Sequence, residues 1–426
     1  MNSSATSNHP RSFAAAAVVP QEELLKAPTR RTLGQRASFW VAAAVVMHTL
    51  WTSAAPAMSY PIYAAEWHFT PVITTAIYAI YSLVVVGTLI LFGDMSDYLG
   101  RRKTMLLGLA SSFLGVVLFA VAPTLTWLFI GRVFMGMGVG LSASPSAAAL
   151  VEFSPADQKR RAGSITAAGQ SLGLALALLV GGVLIQYAPL PARLNFVVLA
   201  ILIGALFVAT WFLPRHTSGE ASGSWRPKIP HVPRNLYSIF ITATVSVAIG
   251  YVLGGIVMSL GAQTAHDLIG STNHLINAAA LSLLALTSGI VAITARGMAY
   301  RSSMMLGGVV SIAGMGLLVL STYQHSLLIF LVAVAAAGVG YSLSFLGGLN
   351  LINAHAPTHH RAGTLSAVLL VAYFLQGVVA LLLGAAATAW GLRAGIDLGC
   401  VAIAVMGLTA LGLAVLSRKA AELRAA

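Results

Sequence analysis

Charge is what this sequence has least of. Only 8% of its 426 residues are Asp, Glu, Lys or Arg, against about a quarter in a typical soluble domain. Carboxylates are scarcer still, 11 in all, and none falls at the centre of a long apolar stretch. That leaves no paired intramembrane carboxylates to act as acid and base. The sequence also lacks a His-Glu-x-x-His zinc motif and a Gly-x4-Gly-Lys-Ser/Thr phosphate loop, which argues against a membrane-embedded metalloenzyme and against direct ATP drive. Cys400 is the only cysteine, so no intrachain disulfide can form, and in an apolar stretch it reads as a small packing residue. His355, His359 and His360 cluster, but in a basic loop, where a solvated face is the simpler reading than a metal site. No cofactor and no metal are expected.

What the chain has instead is apolar sequence: 58% hydrophobic residues, arranged in twelve stretches. A helix rising 1.5 Å per residue needs about 20 residues to cross a hydrocarbon core of about 30 Å. Spans are predicted near 38–63, 72–93, 104–122, 126–151, 163–187, 194–213, 237–260, 273–295, 303–321, 326–352, 363–389 and 395–416. Together they use up the length and leave no room for a soluble catalytic domain. Helices satisfy all their backbone groups within the segment, so the spans are helical.

The second half repeats the first at an offset of 200. Gly138-Val139-Gly140 with Ser142 and Ser144 returns as Gly338-Val339-Gly340 with Ser342 and Ser344, and Arg161-Ala162-Gly163 returns as Arg361-Ala362-Gly363. The expected fold is therefore an all-α membrane protein with twelve transmembrane helices in two pseudo-symmetric six-helix bundles. The expected organisation is a disordered cytoplasmic tail at 1–36, a first bundle at 37–213, a cytoplasmic linker at 214–236, a second bundle at 237–418 and a tail at 419–426. The linker carries Gly219, Gly223, Pro227, Pro230 and Pro233 among basic residues, a composition that favours flexibility. Duplicated bundles in one chain are how many secondary transporters are built.

The formal charge of +13 would hint at nucleic acid on a soluble protein. Here its placement decides otherwise. Arg193 and Arg393 are the only basic residues in loops on one side, Arg132 lies within a span, and the rest occupy the tails and the alternate loops. This positive-inside pattern predicts a multi-pass protein of the cytoplasmic membrane with both termini cytoplasmic. The partner is membrane lipid, not nucleic acid. The first 36 residues read as a tail rather than a signal peptide.

The loop between the second and third spans reads Gly93-Asp94-Met95-Ser96-Asp97-Tyr98-Leu99-Gly100-Arg101-Arg102-Lys103. Gly93 can let a neighbouring helix come close, and Gly100 can take a left-handed turn without a Cβ clash. Asp97 can bond exposed backbone N–H groups at a helix N-terminus. Arg101 and Arg102 can pair with a carboxylate at an adjacent helix end, with Glu152 the candidate. The spacing, the location and the side of the membrane resemble the signature loop of the major facilitator superfamily, and with the repeat the resemblance covers nearly the whole chain after residue 37. It implies that Gly93, Asp97, Gly100, Arg101, Arg102 and Glu152 form a conformational latch between the halves. Topology alone accounts for the basic residues but would not require Gly93 and Asp97. The second copy has Ala292 and Arg296 in their place, so the latch is one-sided.

Arg132 lies inside span four, where insertion scales assign a charged residue about 2.5–3.5 kcal/mol. It must face a wet cavity or a partner, or else snorkel to the surface. The family resemblance implies a role in proton coupling, with Asp94 and His48 as further coupling candidates. His48 is a candidate because its unperturbed pKa is about 6.5. In span five Ala177-Leu178 replace the Gly-Pro pair that family antiporters often carry before Gly181-Gly182, which weighs against antiport.

Aromatic and amide residues recur on several spans, and such a mix suits a partly apolar organic solute. The candidate solute-binding residues are Trp51, Thr52, Tyr81, Gln170, Tyr251, Ser342, Asn350, Asn353, Tyr373 and Gln376. For any one of them, helix-packing polarity is the simpler account; the set carries the reading. The expected activity is secondary active transport of a small organic solute by alternating access: proton-coupled efflux of a drug or metabolite, with uptake of a small metabolite or vitamin as the alternative. A non-transporting membrane sensor is a more distant one. The protein is expected to act as a monomer and not as an enzyme.

Overall fold

The computed structural model of the chain describes residues 32–154, 159–214 and 232–425. The first half comprises α1 (Gln35–Ala54), α2 (Tyr60–Trp67), α3 (Pro71–Phe92), α4 (Met95–Leu99), α5 (Arg101–Ala120), α6 (Leu125–Glu152), α7 (Lys159–Tyr187) and α8 (Leu194–Trp211). The second comprises α9 (Tyr237–Gln263), continued by a π turn over Thr264–Leu268, then α10 (His274–Thr294), α11 (Tyr300–Gln324), α12 (Leu327–His355), α13 (Thr358–Trp390) and α14 (Leu392–Ala425). Among the described residues there is no strand. Among these residues twelve helices are long and apolar enough to cross a membrane, and the protein is an all-α multi-pass membrane protein.

Three boundaries differ from the sequence expectation or escape it. The predicted first span at 38–63 is broken: α1 stops at Ala54 and α2 starts at Tyr60. Pro56 has no N–H to continue the helical ladder, and the chain turns through Ala57 N–H to the Ala54 carbonyl and Ser59 N–H to the Pro56 carbonyl, both 2.9 Å. At the other end α14 continues to Ala425, so most of the expected tail at 419–426 extends the last helix. The tail up to residue 31 and the linker at 215–231 lie outside the described residues.

The repeat motifs explain how each half packs. Lipid gives helices little hydrophobic reason to associate, so close van der Waals contact through small residues carries the packing. In the first half a Cβ on Gly138 would meet Ser112 Oγ at 2.2 Å and the Gly108 carbonyl at 2.6 Å, so α5 and α6 touch backbone to backbone. In the second half a Cβ on Gly340 would meet Ser311 Oγ at 2.4 Å, and one on Gly307 the Ser344 nitrogen at 2.6 Å, joining α11 to α12 in the same way. The seams repeat two residues out of register with the sequence motif: Gly340, not Gly338, takes the place of Gly138, while Gly338 packs on Thr287 and Leu284 of α10.

The halves meet along two seams, α3 against α13 and α7 against α10. The Val72 N–H donates to Thr388 Oγ1 at 2.9 Å, and the His274 N–H donates to Gln186 Oε1 at 2.8 Å. Both bonds lie at the ends of these helices remote from the Gly93–Lys103 loop. There the helices are in hard contact: a Cβ on Gly384 would stand 1.8 Å from Thr75 Oγ1, and one on Gly182 would stand 2.3 Å from the Ala278 Cβ. The structure is closed on the side away from the signature loop.

Candidate solute site

Between the halves lies a cavity of about 180 Å³. Its walls come from Leu50 and Ser53 on α1, Tyr78 and Tyr81 on α3, Ala167, Gln170, Ser171 and Leu174 on α7, and Tyr251, Gly254 and Met258 on α9. Leu284, Ser288 and Ala292 on α10, Tyr341, Ser342, Phe345 and Leu346 on α12, and Tyr373 and Gln376 on α13 complete it. The cavity runs from mid-bundle toward the end of α7 and α10 at which Ala167 and Ala292 lie, which is the signature-loop side.

The second half contributes a wall of rings. Tyr251 stands edge-on to Tyr373 at 4.6 Å between centroids, Tyr341 stacks on Phe345 at 6.4 Å and 14°, and Tyr251 lies 6.2 Å from Phe345. Such pairs favour edge-to-face or offset geometry. Gly250 and Gly254 pass under Tyr341, where a Cβ would meet its atoms at 3.0 and 3.4 Å, so the small residues of α9 let α12 approach and aim that ring. At the closed end Gln376 Nε2 donates to the Tyr78 hydroxyl and Ser82 Oγ donates to Gln376 Oε1 at 3.5 Å. This amide bridges the halves at the floor of the cavity.

Behind that floor sits Arg132, with no exposed surface; burial rules out snorkelling. One Nη donates to the Ser53 carbonyl at 3.0 Å and the other to the Tyr60 hydroxyl at 2.6 Å. The guanidinium lies 5.0 Å from the Tyr81 ring centre. The break at Pro56 creates this site. Ala57 N–H turns back to Ala54, which leaves the Ser53 carbonyl without its helical donor. Asn195 Nδ2 takes the Ala55 carbonyl at 2.8 Å. Arginine and asparagine thus serve carbonyls that proline has released, and the break also starts α2 where Tyr60 can reach the cation.

In the signature loop, Gly100 has φ 92°, the left-handed conformation that turns α4 into α5. Arg101 pairs with Asp97, donates to Ser96 Oγ and donates through Nε to Glu152 at 3.2 Å, tying the loop to the end of α6. Asp97 therefore gives its carboxylate to Arg101, not to backbone N–H groups. Arg102 donates to the Leu213 carbonyl at 3.2 Å and covers the Trp211 ring at 5.7 Å. A Cβ on Gly93 would strike the Leu89 carbonyl at 2.5 Å, so its smallness serves its own preceding turn and not a neighbouring helix. The Arg101 cluster closes within the first half. Asp94 sits at the start of α4, away from the cavity.

Of the residues predicted to bind solute, Tyr81, Gln170, Tyr251, Ser342, Tyr373 and Gln376 line the cavity. Trp51, Thr52, Asn350 and Asn353 do not. Along α1 each residue turns about 100°, so His48 and Thr52 lie about 160° from Leu50, which lines the cavity. His48 is accordingly inside the first half: Nδ1 is 2.7 Å from the Val45 carbonyl and Nε2 is 3.3 Å from Ser112 Oγ. Asn350 and Asn353 lie beyond the cavity toward the exposed end of α12, where Asn353 faces out. The sequence reading missed Ser53, Tyr78, Tyr341 and Phe345. Two signals were available, the Tyr78-x-x-Tyr81 spacing in an apolar span and Tyr341 one turn before Phe345. Among the described residues no cluster of His, Cys, Asp and Glu has a geometry for metal.

The family model described as Major Facilitator Superfamily matches residues 40–380. The riboflavin transporter RibZ of Clostridioides difficile (strain 630) is 26% identical over 145 residues, 34% of this chain and 32% of that one. The multidrug efflux pump LfrA of Mycolicibacterium smegmatis is 33% identical over 135 residues, 31% of this chain and 26% of that one. The chain thus spans about a third or less of the length of these curated relatives. A crystal structure of the peptide transporter POT in complex with sulfate superposes with a TM-score of 0.71 at 18% identity, covering 91% of this chain and 96% of that one. That likeness shows a shared fold.

Proposed function

The chain belongs to the Major Facilitator Superfamily, a family of transporters and not of enzymes, and from this premise we propose that it carries a small, partly aromatic organic solute by alternating access. The observation that carries the reading is the ring-lined cavity between two halves that are joined across both seams on the side away from the signature loop. A pocket walled by aromatic faces with a few amides and hydroxyls suits such a solute. The lining residues Tyr81, Gln170, Tyr251, Ser342, Tyr373 and Gln376 are proposed to contact it. The signature loop faces the cytoplasm in this reading, so the closed side is external and the protein sits in the cytoplasmic membrane with both termini inside.

Export coupled to protons is the proposed direction, supported by a relative described as a multidrug efflux pump and by Arg132 buried behind the cavity floor. Uptake is the second reading. The observation that favours it is Ala177-Leu178, fully buried in α7 where antiporters of the family often have Gly-Pro. Counterflow of a labelled aromatic solute panel in proteoliposomes, with and without a pH gradient of each sign, tests both. Exchange accelerated by trapped solute supports a carrier, and the gradient sign that drives accumulation fixes the direction. Absence of exchange for every solute overturns the transport reading in favour of a sensor.

The loop cluster gives a sharper expectation. Asp97→Ala removes one of two carboxylates on Arg101, at a partly exposed pair worth about 0.2–1 kcal/mol in stability. The variant is expected to bind solute as the parent does while cycling several-fold more slowly. A loss of affinity at unchanged turnover, read as Kd against exchange rate, would contradict a latch.

A further inference from the structure

The cavity's chemistry is lopsided in charge. Among the described residues its lining holds five tyrosines, two glutamines and four serines, and no Asp, Glu, Lys, Arg or His. Nearly every polar group there can donate a hydrogen bond, and none carries a negative charge to receive a cation. One full charge stands close behind the wall. Arg132 is completely buried, its contacts among the described residues are the Ser53 carbonyl, the Tyr60 hydroxyl and the Tyr60 and Tyr81 rings, and its Nε has no partner there. Among the described residues no carboxylate lies within ion-pair distance of it.

A buried cation without an anion is an unfavourable arrangement unless something else supplies the counter-charge. Two of its neighbours, Ser53 and Tyr81, are themselves part of the cavity wall. An anion held at the hydroxyl edge of the Tyr81 ring, clear of its electron-rich face, would lie within reach of the guanidinium's field in a low-dielectric bundle. A cation at the same spot would meet that field with no carboxylate to offset it. The Tyr78 and Tyr81 hydroxyls, Gln170 and Gln376 can supply donors to a carboxylate directly.

We infer that the cavity selects aromatic organic anions, an aromatic ring against the Tyr251–Tyr341–Phe345 wall and a carboxylate toward Ser53 and Tyr81, with Arg132 as the residue that sets the charge preference. The inference rests on the cavity being the solute site. It adds the charge of the solute, which the aromatic lining alone leaves open, since ring faces also attract cations.

The test uses three probes with one phenol ring: 4-hydroxybenzoate, its methyl ester and tyramine. Each is titrated calorimetrically into the purified full-length protein. The acid is expected to bind about tenfold tighter than the ester and about a hundredfold tighter than tyramine, the scale of one desolvated charge contact. Arg132→Met should bring the acid down to the ester's affinity while leaving the ester unchanged, and Arg132→Lys should keep part of the preference. A fold defect would weaken acid and ester together. Tyramine binding as tightly as the acid, and lost in Tyr251→Ala, would leave the solute site standing and overturn the charge assignment. Inorganic phosphate binding as tightly as the acid would overturn the aromatic half of the inference, as would binding of none of the three probes.

Discussion

Replacing Arg132 with methionine is expected to abolish gradient-driven transport while leaving a folded protein in the membrane. Two effects act on stability with opposite sign. The Ser53 carbonyl and the Tyr60 hydroxyl lose their donor, at about 1–3 kcal/mol for each buried group left unsatisfied. Removing the charge recovers the insertion penalty of about 2.5–3.5 kcal/mol. The two nearly cancel, so the melting temperature should move little. Function has no such cancellation, because no described residue lining the cavity carries a charge. Flux driven by a pH gradient should fall by about a hundredfold or more, which corresponds to about 2.7 kcal/mol. Lysine should restore only part of it, since an ammonium cannot hold the carbonyl and the phenol with a planar fork. Flux at the parent rate in the methionine variant would remove Arg132 from the mechanism.

The second large effect is expected at Gly384. A Cβ there would stand 1.8 Å from Thr75 Oγ1 and 2.8 Å from Thr75 Cβ, across the seam between the halves and not within either one. Gly384→Val therefore overpacks only the state in which this seam is shut. At about 1–3 kcal/mol for overpacking, the balance should move by a factor of about 5–150 toward the state with the seam parted. Transport should drop about tenfold, and thiol reagents added from the sealed side should label a cysteine placed in the cavity, Ser342→Cys in a Cys400→Ser background, faster with Gly384→Val than without it. Thr75→Ala should restore part of the rate by vacating the space. If Gly384→Val transports normally, the seam does not open during the cycle.

Much of the architecture was legible because bilayer physics restricts it so tightly. Hydropathy located twelve spans, the 200-residue repeat identified the two halves, and Gly100 lay where a left-handed turn was required. What escaped was rotation about helix axes. Polar residues on α1 pointed to the His48–Thr52 face, yet the Leu50–Ser53 face meets the cavity and His48 turns inward to Ser112. In a membrane bundle a polar face can serve a neighbouring helix as well as water, so polarity alone does not orient a span. Asn350 and Asn353 differ for a related reason: they share a stripe with Ser342, but α12 has already passed the cavity where they lie, and Asn353 is exposed. Proline breaks a helix by rule, but the consequence of Pro56 could not be read from the sequence. The released Ser53 and Ala55 carbonyls and their capture by Arg132 and Asn195 join residues far apart in sequence.

Alternating access requires the two halves to pivot about the cavity, parting the seam that this structure holds shut. The most direct measurement bridges Val72→Cys and Thr388→Cys, whose parent residues share a 2.9 Å hydrogen bond across the seam, in a Cys400→Ser background. A short bis-thiol reagent with a cleavable link is applied to protein in proteoliposomes, and solute exchange is followed before bridging, after bridging and after cleavage. Alternating access predicts exchange that stops on bridging and returns on cleavage, with solute binding retained throughout. Exchange that continues at the unbridged rate in fully bridged protein would contradict the account.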